Sequence, residues 1–165
     1  MLHLTSHAAL WFLIPALPIG VWVAWSDMKF MKIPNLAVLA LVLVFVLLGP
    51  FLMPFDAYLW QLAHLPLVLV VGFVLNLARA IGAGDAKFAA AMAPFFAVAD
   101  LRLVLALAAA ILLAAFAAHR LLGLIPAFRR ATPDWLSWQR HDFPMGLALS
   151  GVLIFYLALA TCYGV

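Results

Sequence analysis

Glutamate does not occur in this sequence, cysteine occurs once, and charged residues make up only 9% of the chain. So little charge cannot cover the surface of a soluble domain, and that class is excluded. The single cysteine, Cys162, cannot build a disulfide framework or a cysteine-based zinc module. The opening stretch MLHLTSHAAL has no lysine or arginine. It makes a poor signal-peptide n-region, so the first helix is expected to stay in the mature protein. His3, His7, His64, His119 and His141 do not recur at i, i+4 on any span. No metal site and no cofactor is expected from them. No internal repeat or low-complexity linker stands out.

What the chain does have is apolar length. Hydrophobic residues make up 70% of it, in runs that approach or exceed the roughly 20 residues a helix needs to cross a bilayer. The expectation is an all-α polytopic membrane protein with about six spans, a single domain over residues 1–165. Span one is read as about Ala8–Trp25, with Pro15 and Pro18 tolerated inside it, ending at Ser26-Asp27. A short polar connection, Met28–Asn35, follows, with Asn35 as the N-cap of the next helix. The remaining spans are about Leu36–Leu48, Tyr58–Ala78 (closing at Arg79), Ala86–Ala99, Leu101–Ala118 and Met145–Tyr163. The fourth is short unless the glycines before it dip into the bilayer. In the hydrophilic segment Leu121–Pro144, Thr132-Pro133-Asp134 resembles a helix start. With Trp135, Trp138 and Arg140 after it, it predicts a short helix lying in the membrane interface. An ordinary loop with interfacial tryptophans is the other reading.

Six spans place Lys29, Lys32, Arg79, Lys87, Arg120, Arg129, Arg130 and Arg140 on one side and only Arg102 on the other. The positive-inside rule then makes these connections cytoplasmic and puts both termini outside. The net charge of +3 serves topology and the lipid bilayer, and nucleic acid is not expected as a partner.

All six acids are aspartates. Asp56 and Asp100 fall in outer connections, where a solvated loop acid needs no explanation, and Asp134 and Asp142 cap or face water. Asp27 and Asp85 remain, each at the cytoplasmic edge of a span. Asp85 lies in Ile81–Phe88, IGAGDAKF, where Gly82 and Gly84 suggest a bend or a close approach. An acid against an apolar run is expensive and is a functional-site candidate. Two carboxylates facing one water can cleave a peptide: the ionised one takes a proton from the water, and the protonated one polarises the carbonyl. At about 5 Å and an effective dielectric near 20, their repulsion is roughly 3 kcal/mol, about two pKa units. On spacing alone, a second reading stands beside this one: both acids merely mark helix ends.

Asp27 followed by Ile33-Pro34-Asn35, then Gly82-Ala83-Gly84-Asp85-Ala86-Lys87, resembles the bacterial type IV prepilin peptidases, which are GxGD-type aspartyl proteases. Phe143-Pro144-Met145-Gly146 is similar to the proline–glycine entry to that family's last helix. The resemblance implies that Asp27 and Asp85 are the catalytic pair. It implies a prepilin or pseudopilin substrate whose short basic leader is cut at the cytoplasmic side of the bacterial inner membrane. Gly82 and Gly84 then admit substrate backbone or pack a turn. Lys87 biases the acids or reaches for headgroups. Ile33, Pro34 and Asn35 shape the turn beside Asp27. The bifunctional members carry paired Cys-x-x-Cys motifs in an N-terminal region and also methylate their product. This chain opens on span one, so it is similar to the short, peptidase-only branch of Flp (tight-adherence) pili, and methyl transfer is not expected. The alternative from another class is a non-enzymatic membrane subunit, either an ion- or proton-conducting bundle or an assembly component. A conductor would place its acids near mid-membrane, unlike Asp27 and Asp85. Oligomeric state and the particular pilin are not legible.

Overall fold

A computed structural model describes residues 2–165 of the chain. It is an all-α polytopic membrane protein. Helices α1 (Ser6–Phe30), α2 (Asn35–Leu52), α3 (Phe55–Leu62), α4 (His64–Leu77), α5 (Ala83–Met92), α6 (Leu101–Leu124), α7 (Pro126–Ala131) and α8 (Met145–Tyr163) follow one another, with short 3-10 turns between some of them. Five stretches are long and apolar enough to cross a membrane: α1, α2, α3 with α4, α6 with the turn before it, and α8.

The fourth expected span is the exception. Its α-helical part has only 10 residues, or about 15 Å at 1.5 Å per residue. Pro94 is the cause. It has no N–H to donate to the preceding turn and its ring crowds that turn, so the helix tightens into the 3-10 turn Ala93–Phe95. A second 3-10 turn, Val98–Asp100, completes the passage to the far end of the bundle.

α1 packs most extensively against α8, and this pair forms the centre. α1 starts at Thr5, whose hydroxyl accepts the Ala8 N–H at 3.2 Å. Pro15 and Pro18 sit inside α1 without ending it. The outer helices carry their apolar side chains on the outside: Leu67, Phe73, Leu105 and Leu113 are all exposed. Such a surface suits acyl chains, where every backbone polar group must be satisfied within its own helix. Inside, Phe12 of α1, Phe45 of α2 and Phe95 form one aromatic cluster, with Phe45 stacked on Tyr58 at 5.6 Å.

Helix direction defines two ends. At one, Leu2 pairs with Gly164, so both termini lie together, and His3 meets Asp100. At the other, the last turn of α1 meets the start of α8 and the loop leading into α5.

Three local expectations are corrected. α1 does not stop at Ser26-Asp27 but runs one further turn, closing at Met31 in the left-handed region (φ 51°). Asp27 therefore lies inside the helix. Asn35 is the first residue of α2 and makes no capping bond; Pro34 precedes it. The helix expected to start at Thr132-Pro133-Asp134 is absent. Thr132 instead closes α7, its hydroxyl donating to the Phe128 carbonyl at 2.9 Å. The Trp138 indole then donates to that same hydroxyl at 3.1 Å. With its side chain engaged behind it, Thr132 cannot cap a helix ahead, and only the 3-10 turn Leu136–Trp138 forms.

Candidate active site

The end of the bundle opposite the termini holds a cavity of about 860 Å³. Three chain segments form it: the end of α1 with the connection to α2, the loop from α4 into α5, and the approach to α8. Asp27 and Asp85 both line it. Gly82, Gly84, Lys87, Ile33 and Asn35 line it as well, whereas Pro34 does not.

Asp27 is buried, with 6% of its surface exposed. Its Oδ2 accepts the Gly146 N–H at 2.7 Å. Gly146 is in the first turn of α8, where N–H groups have no partner within the helix and point at whatever lies ahead. A side chain there would be tight, since a Cβ on Gly146 would lie 3.0 Å from both Cβ and Oδ2 of Asp27 and the carboxyl would have to shift by a few tenths of an ångström. Pro144, itself buried, starts the helix at this register. The connection after Asp27 folds back because the buried Ser26 hydroxyl donates to the Lys32 carbonyl at 2.9 Å.

Asp85 is in the first turn of α5, outside the five spans, and is partly buried. Burial pushes its carboxyl up to about 6, and the negative charge of Asp27 pushes in the same direction, while the Gly82 N–H pulls it down. The glycines do not supply a left-handed bend, for no glycine of the described residues has positive φ. Gly82 is there for space: a Cβ would stand 2.6 Å from Asp85 Oδ2. Gly84 faces Ile33, which its Cβ would meet at an ordinary 3.5 Å.

The left-handed residue in this loop is Arg79, φ 59°. It ends α4 with the Arg79 N–H on the Asn76 carbonyl and the Ala80 N–H on the Leu75 carbonyl, both at 2.9 Å. That paired closure normally recruits glycine. A non-glycine residue held there costs about 1–2 kcal/mol. The Asn76 side chain clamps the loop by donating to the Ile81 carbonyl at 2.8 Å. Lys87 donates from its Nζ to Asn35 Oδ1 at 3.3 Å. Among the described residues neither Asp27 nor Asp85 has an ion-pair partner. No group of three or more potential ligands there could hold a metal.

Sequence reasoning missed the Gly146 N–H as a partner of Asp27, although the Pro144–Gly146 stretch stood out. It also missed Asn76, whose signal was a lone amide in the apolar run VVGFVLNLARA. It misjudged Asp100. That acid is 5% exposed and fully engaged: it accepts from the His3 N–H and from the Tyr156 hydroxyl at 2.8 Å, and it contacts His3 Nδ1 at 2.8 Å. Asp56, Asp134 and Asp142 are exposed, and Asp142 lies on the rim of the aspartate cavity.

Two carboxylates on one water-accessible cleft, one with a raised affinity for its proton, can together activate water and polarise a carbonyl. The sequence model of the type IV leader peptidase family matches residues 10–119, a stretch that contains both acids. No curated protein and no solved structure matches the chain.

Proposed function

From the premise that this chain belongs to the type IV leader peptidase family, we propose that it is an aspartic endopeptidase whose dyad is Asp27 and Asp85. Its whole length forms one peptidase domain. It removes the short basic leader of a prepilin or pseudopilin at the cytoplasmic side of the bacterial inner membrane, within the short branch serving Flp (tight-adherence) pili. The single observation that carries this reading is the convergence of the two acids, from helices far apart in sequence, on one open cavity.

In this mechanism one member of the pair is ionised and takes a proton from a water molecule, which attacks the scissile carbonyl. The other is protonated and donates to the carbonyl oxygen as it becomes tetrahedral. The proton then passes to the leaving amine, and the pair returns to its singly protonated state. The Gly146 N–H fixes the Asp27 carboxylate through all of these steps. Asp142 on the rim is the acid that meets a basic leader. Lys32, Arg79, Lys87 and Arg140, also on the cleft, face the anionic headgroups of the inner leaflet.

The test is cleavage of a prepilin by purified protein in detergent. Asp27→Asn and Asp85→Asn each abolish it while leaving expression and membrane insertion intact, because asparagine keeps the shape but cannot exchange the proton. Asp56→Asn cleaves normally. Near-normal cleavage by either dyad variant would sink the assignment.

A further inference from the structure

A second cavity, about 190 Å³, lies where the end of α6 meets α7 and the 3-10 turn Leu136–Trp138. The geometry points to an anion site here that takes a phosphate ester, the chemistry of an anionic phospholipid headgroup. This inference does not depend on the peptidase reading.

Two buried side chains line the cavity with nothing to bond to. His119 is 4% exposed and Ser137 2%. Both ring nitrogens of His119 and the Ser137 hydroxyl lack a hydrogen-bond partner. Buried polar atoms are nearly always paired, and these three lie just behind the cavity wall with almost no accessible surface, one side-chain turn from an occupant that could supply the partners. The charge around them selects its kind. Arg120, Arg129 and Arg140 line the cavity, and no acid does. Among the described residues none of the three forms an ion pair. Water would serve the histidine and serine but would leave the three exposed arginines on the cavity wall, Arg120 lying over the Phe116 ring at 5.2 Å, without an anion. A phosphate ester offers several acceptor oxygens to their fork-shaped donors and to the Ser137 hydroxyl. The volume holds such a group with water around it, since a water molecule takes about 30 Å³ in the liquid.

The walls suit a membrane surface. His119 stacks on Trp138 at 4.6 Å and meets the edge of Phe143, while Phe128, Trp135 and Trp138 pack together beside it. Tryptophan and arginine together at the end of a span are placed for the headgroup layer. Arg140 lines this cavity and the aspartate cleft alike, so an occupant here borders the rim of the candidate active site.

The experiment is native mass spectrometry of the full chain in detergent. It is titrated with short-chain phosphatidylglycerol, short-chain phosphatidylcholine or inorganic phosphate. One phosphatidylglycerol is expected to be retained in preference to phosphatidylcholine. Arg129→Gln should weaken it about tenfold, the usual scale for a lost charge-assisted bond. Arg130→Gln, the neighbouring exposed arginine outside the cavity, should not. Ser137→Ala should weaken it less. Displacement of the lipid by phosphate would mean that the headgroup charge alone is recognised and that a free phosphate can occupy the site. Retention against phosphate would assign the site to membrane lipid. Equal losses in Arg129→Gln and Arg130→Gln would reduce the effect to diffuse basic charge and overturn the site. So would equal retention of the two lipids, or no binding of any of the three probes.

Discussion

The two ends of the bundle each bury an aspartate, and the difference between them separates a structural acid from a reactive one. Asp100 is enclosed by donors: the His3 backbone N–H, the His3 ring and the Tyr156 hydroxyl, which in turn accepts the Ala97 N–H at 3.1 Å. It ties the N-terminus, the α5–α6 connection and α8 together, with both oxygens engaged by protein groups. Asp27 is equally buried but has one protein donor, Gly146, and faces an open cleft shared with Asp85. A carboxylate whose remaining acceptor sites meet water and a second carboxyl can exchange a proton. A fully bonded one holds structure instead.

The largest effect that can break this contrast is on turnover. Asp27→Asn or Asp85→Asn should lower cleavage by at least about a thousandfold, whereas Asp100→Asn should leave the rate per folded molecule within a few-fold. If Asp100→Asn silences cleavage in protein that remains folded, the two ends are not distinct. Next in size is Gly146→Ala. Its added methyl would stand 3.0 Å from the Asp27 carboxylate and push it by a few tenths of an ångström; since a misplacement of about 1 Å can cost about a hundredfold, kcat should fall by about tenfold. KM should hardly move. A normal kcat would show that the Gly146 N–H does not position Asp27.

The opposite end is tested through stability. Tyr156→Phe deletes the hydroxyl between Asp100 and Ala97, leaving the buried Ala97 N–H unpaired, at about 1–3 kcal/mol, and Asp100 Oδ2 with the His3 N–H alone. Denaturation in mild detergent should therefore register a clear loss, with cleavage intact below the transition. Unchanged stability would remove the structural role of Asp100.

The smallest effect is a pH dependence. A native carboxyl raised to about 6 binds its proton more tightly than the unfolded chain does. Stability therefore falls as pH rises from near 4 to about 6, and the full burial cost is present above that window. Asp85→Asn removes this cost, so its stability relative to the parent should increase across the same window and then level off. A difference that stays flat from pH 4 to 8 would mean that Asp85 is not held neutral by its surroundings. In cleavage assays the alkaline limb should lie well above the range of an ordinary aspartate, because loss of the shared proton ends general-acid assistance.

Much of this molecule is legible in one dimension because the bilayer imposes a one-dimensional rule. Apolar runs of sufficient length must become helices, and successive helices must alternate direction. From that alone follow the all-α class, most of the spans, and the placement of residues 27 and 85 at one end of the bundle. Side-chain partnership lies beyond the rule, since it depends on which helix ends meet. Asp100 sits in a connection like Asp56, yet only the docking of His3 and Tyr156 makes it a buried tie. Asp27 stands at the end of an apolar run, yet only the extra turn of α1 and the approach of α8 bring the Gly146 N–H to it. Thr132 has the side chain of a helix start, yet Trp138 and the Phe128 carbonyl engage it in closing a helix instead. The sequence by itself determined the membrane, the helices and the end of the bundle at which the two acids lie. Only the tertiary structure decided which donors each acid meets and how much of it remains open, because hydrogen bonds act over about 3 Å and these partners lie up to 119 residues apart in the chain.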